Sequence, residues 1–174
     1  MTIPYIRNLT TDDLLTVHAL QASCYGAEFL EPVASFARKL EAAPSWSWLA
    51  QLDGLPAGYL VGLPVAHLKS PDIPALAGTA SLPLVRQAEG FYLHDLAVPP
   101  QHRGKGVAPA LFAAALQQAQ TQQVRQMMLV AVQGSTDFWS RFGFEASPHP
   151  APELQRKLRS FGDGAVFMTR TLRE

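Results

Sequence analysis

Eight residues, Gln101-His102-Arg103-Gly104-Lys105-Gly106-Val107-Ala108, concentrate groups suited to holding phosphate. Gly104 and Gly106, one residue apart, let the main chain turn sharply and approach a ligand closely. A helix is expected to start here, so its first N–H groups lack intrahelical acceptors and its dipole favours negative charge. Arg103 and Lys105 add two cations. This is the chemistry of a pyrophosphate cradle, although the same residues also suit a solvated basic turn. Two familiar phosphate loops fit poorly: a dinucleotide fingerprint wants Gly or Ala at Pro109, and a Walker loop wants Ser or Thr after its Gly-Lys.

Just upstream, Phe91 to Val98 carries Tyr92, His94 and Asp95. Histidine, with an unperturbed pKa of about 6.5, suits proton transfer near neutral pH; the alternative is a buried His94 bonded to neighbouring backbone. Strand alternation puts Tyr92 and His94 on one face and Leu93 and Asp95 on the other. On that argument Asp95 braces a loop or strand, unless a bulge intervenes.

These residues need elements to position them. Ile3 to Leu9 reads as a strand, followed by a helix capped at Thr10 or Thr11 that runs to the Ser23-Cys24-Tyr25-Gly26 break. A second helix spans Pro32 to Pro44, with Val33, Phe36, Ala37 and Leu40 on one face. Trp46 to Leu52 and Leu55 to Val65 flank Asp53-Gly54, a strong hairpin signal. Lys69 to Arg86, rich in Pro and small residues, reads as a long loop. After strand Phe91 to Val98 come a helix to about Gln120, a strand Met127 to Val132, and a short helix Ser135 to Phe142 ending at Gly143. A tail helix near Pro152 to Arg159 and a strand Ala165 to Leu172 complete the pattern. The order predicts a single α/β (α+β) domain, residues 1–174, built on a mixed sheet. Phe36, Trp46 and Trp48 are expected in the core.

The chain has 174 residues, with 14 Lys+Arg against 14 Asp+Glu. That balance argues against a broad electropositive surface, and so against nucleic acid or anionic membrane as partner. Charged residues make up 16%, below the roughly 25% of ordinary domains, and apolar residues reach 48%, enough for a sizeable core. The single Cys24 excludes an intrachain disulfide framework, and the five histidines lack H-x-x-x-H spacing, so no metal is expected. With no charged leader and no apolar run of membrane-spanning length, the expected location is the cytoplasm.

The segment Tyr92 to Ala108 resembles the central motif of the GCN5-related N-acetyltransferases (GNAT): a strand, then Gln/Arg-x-x-Gly-x-Gly/Ala, then a helix. Phe138-Trp-Ser-Arg-Phe-Gly-Phe144 is similar to the family's second motif, Phe-Tyr-x-x-x-Gly-Phe. The resemblance implies a mostly antiparallel sheet flanked by helices and splayed at strand 91–98. It implies acetyl-coenzyme A (acetyl-CoA) as acyl donor, and as acceptor a primary amine of a small molecule or protein. Main-chain groups of Leu96 and Val98 would then bond the thioester and pantetheine. Gln101 opens the motif, and the amides from Arg103 through Gly104, Lys105, Gly106 and Val107 to Ala108 would hold the pyrophosphate. Ser135 lies near a pantetheine contact and also suits a helix cap.

By the same resemblance His94 is the base, with Tyr92 beside it, and Tyr25 walls the acceptor site. Homodimers are common in the family. One departure stands out: Trp139 occupies the usual position of the leaving-group acid, a Tyr, leaving Tyr25, Ser135, Ser140 or water to protonate the thiolate. That departure favours the rival reading, a GNAT-like module that binds acyl-CoA without turnover.

Overall fold

The computed structural model describes residues 2–69, 71–74, 82 and 84–173. Much of the expected loop Lys69 to Arg86 lies outside them. Strand β1 (Tyr5–Asn8) leads through a 3-10 turn at Thr11–Asp13 into helix α1 (Leu14–Cys24). Thr10 and Asp13 close a reciprocal capping box at that turn, satisfying main-chain donors that the helix start would otherwise leave unpaired. Helix α2 (Val33–Ala42) begins one residue after Pro32, which serves as its N-cap. The β2 (Ser47–Leu52) and β3 (Leu55–Val65) hairpin turns at Asp53 and Gly54, both at positive φ, the geometry that selects an Asp-Gly pair.

Strand β4 (Gly90–Ala97), helix α3 (Val107–Thr121), strand β5 (Gln126–Ala131) and helix α4 (Thr136–Ser140) follow. A two-residue strand β6 (Glu145–Ala146), missed in the sequence, precedes helix α5 (Pro152–Leu158) and strand β7 (Val166–Thr171). The seven strands run β1-β2-β3-β4-β5-β7-β6. Among the described residues only the β4–β5 pair is parallel; the rest are antiparallel. Helices α1 and α2 cover one face through Val17, Phe36 and Leu40, packed on Leu49, Tyr59 and Val61. Helix α3 covers the other through Leu111, Phe112 and Ala115, in one cluster with Trp46, Trp48 and Phe91.

Two irregularities shape the middle of the sheet. Strands β4 and β5 pair only from Gly90↔Gln126 to Leu93↔Leu129, so among the described residues β4 beyond Leu93 has no strand partner on its β5 side. That is the expected splay. Strand β4 also carries a bulge: Val61 faces Asp95 but Gly62 faces Leu93, leaving His94 as the extra residue. Strand alternation therefore breaks at His94, and the expectation that Asp95 points away from His94 fails. Both side chains reach residues of the segment running from α1 to the start of α2. A bulge re-aims a side chain in this way.

Candidate active site

The opened edge of β4 borders a cavity of about 970 Å³. Its walls include Gln21, Cys24 and Tyr25 at the end of α1, Leu93 to Val98, and the loop leading into α3. Gly104 and Gly106 adopt φ of +72° and +77°, and a Cβ built on either would meet no atom within 4 Å among the described residues beyond its chain neighbours. Both therefore present bare main chain to open space, in a conformation that L side chains rarely adopt. Gly106 is the N-cap of α3, so the unpaired N–H groups of that helix begin at the same point. Pro109 sits within its first turn, where a missing N–H has no consequence. Arg103 donates from Nε to the Val98 carbonyl at 3.2 Å, tying the loop to the end of β4. Bare main chain, a helix start and a cation together can hold a phosphate.

Most of the expected cofactor residues line this cavity. Leu96, Val98, Arg103 and Gly104 do, as do Gly106, Val107, Ala108 and Ser135; Gln101 and Lys105 do not. Tyr25 and His94 line it, while Tyr92 lies buried outside the lining with its ring 5.7 Å from that of His94. Ser135 is the N-cap of α4 by position, but its side chain makes no capping hydrogen bond, so the cap expected of it is absent. Of the hydroxyls offered in place of a Tyr at 139, Tyr25 and Ser135 line the cavity and Ser140 does not. Trp139 is buried among Phe138, Phe142 and Phe144.

Two buried polar clusters stand behind β4. In the first, Asp95 accepts from Gln21 Nε2 at 3.1 Å, from Tyr25 Oη at 3.1 Å and from Tyr59 Oη in a short contact. Burial pushes the Asp95 carboxyl above its ordinary range, against the hydrogen bond from Tyr59 and the charge of His94. Burial, and next the charge of Asp95, raises Tyr25 and Tyr59 well above the usual phenol value. Asp95 therefore braces α1 against β3, the role expected of it, although from the same side as His94.

The second cluster was not foreseen. Glu31 Oε1 lies 2.6 Å from His94 Nε2, and both side chains are 1% exposed. Its other oxygen accepts from Ser35 Oγ at 2.7 Å and Lys39 Nζ at 2.9 Å. His94 as a whole residue is half-buried, so its exposure belongs to main chain at the open edge. Burial pushes the Glu31 carboxyl up, but the charges and hydrogen bonds of His94, Lys39 and Ser35 outweigh it and hold Glu31 well below the carboxylate range. Gln21 joins the clusters, accepting from the Glu31 N–H at 2.6 Å while donating to Asp95. Among the described residues no group of three or more His, Cys, Asp or Glu is placed to hold a metal, and no helix is long and apolar enough to cross a membrane.

An opened parallel strand pair, a left-handed glycine loop and a helix start facing one cavity have a counterpart among known families. The acetyltransferase (GNAT) family pattern matches residues 14–144. The chain belongs to this family. No curated protein shows a significant sequence match.

Solved structures share the GNAT fold at low identity. The loading GNATL domain of CurA from Lyngbya majuscula superposes with a TM-score of 0.77 at 14% identity, covering 97% of this chain and 98% of that one. Arabidopsis thaliana Naa50, in complex with the bisubstrate analogue CoA-Ac-MVNAL, gives 0.69 at 13% identity over 97% of this chain and 99% of that one. A GNAT family acetyltransferase from Brucella melitensis, in complex with acetyl-CoA, gives 0.60 at 18% identity over 99% and 90%.

Proposed function

We propose that this GNAT protein transfers an acetyl group from acetyl-CoA to a primary amine of a small molecule or protein. The observation that carries the reading is that one cavity joins the free edge of β4, the left-handed glycines at the start of α3, and His94. The amides from Arg103 to Ala108 hold the pyrophosphate, where helix dipole and bare main chain favour an anion. Main-chain groups of Leu96 and Val98 bond the pantetheine arm along the edge that β5 leaves free. Acetyl-CoA supplies the activated acetyl group and, as thiolate, the leaving group. His94 takes the amine proton, and Tyr92 supports it from beneath the cavity wall. The acetyl-CoA complex of the Brucella protein and the CoA-peptide complex of Naa50 support this assignment by analogy of fold.

Trp139 lines the cavity and favours a second reading, acyl-CoA binding without turnover, because indole is no useful proton donor. One experiment covers both. Calorimetry with acetyl-CoA, followed by thiol release over a panel of amines, is expected to show saturable binding and turnover. Binding without turnover of any amine selects the second reading, and no saturable binding rejects both.

A further inference from the structure

We infer that Glu31, held by Lys39 and Ser35, is a positioning residue that fixes the proton of His94 on Nε2 and leaves Nδ1 as the nitrogen that accepts a proton. The inference rests on the proposed role of His94 as base and adds the device that orients it. An ionised carboxylate only accepts hydrogen bonds, so the nitrogen 2.6 Å from Glu31 must carry hydrogen. Glu31 cannot swing away, because its second oxygen is held by Ser35 Oγ and Lys39 Nζ, and Lys39 Nζ also donates to Ser35 Oγ at 2.7 Å. Helix spacing sets this clamp: Ser35 and Lys39 lie four apart on α2, one turn above the other. The lowered pKa of Glu31 agrees with a permanent anion.

The other nitrogen is in the complementary state. His94 Nδ1 is buried with no hydrogen-bond partner among the described residues. Buried polar atoms in folded proteins are ordinarily satisfied. With hydrogen held on Nε2, the lone pair left on Nδ1 is the place for a transferred proton to arrive. A carboxylate partner for the distal nitrogen is a recurring means of setting which imidazole nitrogen reacts.

Several charged and titratable groups surround His94. Glu31 bonds it from the link before α2, and Lys39 of α2 holds the other oxygen of Glu31. The Tyr92 ring packs against it and the Asp95 charge acts on it from β4, while Tyr59 of β3 and Tyr25 at the end of α1 bond Asp95. Among the described residues only Glu31 bonds it directly, so Glu31 is the partner that sets its tautomer.

Nitrogen-15 NMR of the imidazole in the full chain, followed through a pH titration, reads this without any turnover. Neutral His94 in the wild type is expected as the Nε2–H tautomer. Glu31→Gln is expected to mix the tautomers, because an amide can donate to Nε2 as well as accept from it, with acetyl-CoA affinity unchanged. A wild-type Nδ1–H tautomer overturns the inference, and that result needs no variant to fold. So does a pure Nε2–H tautomer that persists in folded Glu31→Gln. A normal tautomer response in a protein that acetylates no amine instead sinks the transferase reading.

Discussion

The Tyr25 hydroxyl reaches the Leu96 carbonyl at 2.9 Å, on the stretch of β4 that has already parted from β5. It also reaches Asp95 at 3.1 Å, so one phenol ties the end of α1 to the free edge and to the buried carboxylate. Tyr25→Phe removes both bonds and leaves Asp95 short of a donor. At roughly 1 kcal/mol per bond, and more where a buried partner is left unsatisfied, the expected loss is about 1–3 kcal/mol in urea unfolding. Turnover is expected to fall as well, because the edge that carries Leu96 loses its anchor. Full stability in Tyr25→Phe would show that the tie is incidental.

Gly104→Asp sets a carboxylate in the open space of the cradle and forces an L residue to φ of +72°. The strain costs about 1–2 kcal/mol. Calorimetry at low salt is expected to show acetyl-CoA affinity reduced at least about tenfold, a loss of about 1.4 kcal/mol. An unchanged affinity in the folded variant places the phosphates elsewhere.

His94→Ala is expected to lower kcat by about 10²- to 10⁴-fold, the span for losing a general base, with acetyl-CoA affinity nearly unchanged. Because Glu31 and Lys39 then face a cavity instead of an imidazole, the variant is also expected to melt earlier. Retained kcat would remove His94 from the proton path.

Acid stability follows from carboxylates shifted in opposite directions. Asp13, lowered mainly by its hydrogen bond from Arg7, and Glu31 both have folded pKa values below their unfolded ones. Their contribution is fully present above the unfolded carboxylate range, about pH 4, and is lost as pH falls below it toward the folded values. Asp95, raised by burial, works in reverse: its ionised form costs stability, and that cost is relieved as pH falls through its folded value. Urea unfolding between about pH 3 and 7 is expected to show a net acid loss that Glu31→Gln flattens and Asp95→Asn steepens. A steeper acid loss in folded Glu31→Gln contradicts the assignment.

The parts of the site written in consecutive residues were legible. Gln101 to Ala108 announced its loop because glycine spacing, cations and a helix start sit in one stretch, and Asp53-Gly54 announced its hairpin for the same reason. The buried clusters were not legible, since Glu31 and His94 are separated by 63 positions in the chain. Lys39 carries a signal of its own: it shares the α2 stripe with Phe36 and Leu40, a position where an unpaired lysine is not tolerated. Asp95 shares the side of His94 because β4 bulges opposite Val61 and Gly62. No residue of β4 marks that bulge in advance, and Gly62 on the partner strand is set by packing, since a Cβ there would run into the Phe91 ring.

The short β4–β5 pairing has one more consequence. The sheet is two stitched panels joined by a seam closed at one end, from Gly90 to Leu93, and unzipped at the other. A linear amide-bearing ligand laid into the unzipped end takes the place of the missing strand, turning the free edge of β4 into an interior one. Deuterium uptake at those main-chain amides between Asp95 and Val98 that point away from β3 then becomes a gauge of occupancy, fast with the seam open and slow once it is filled, while the stitched amides below Leu93 keep their protection throughout.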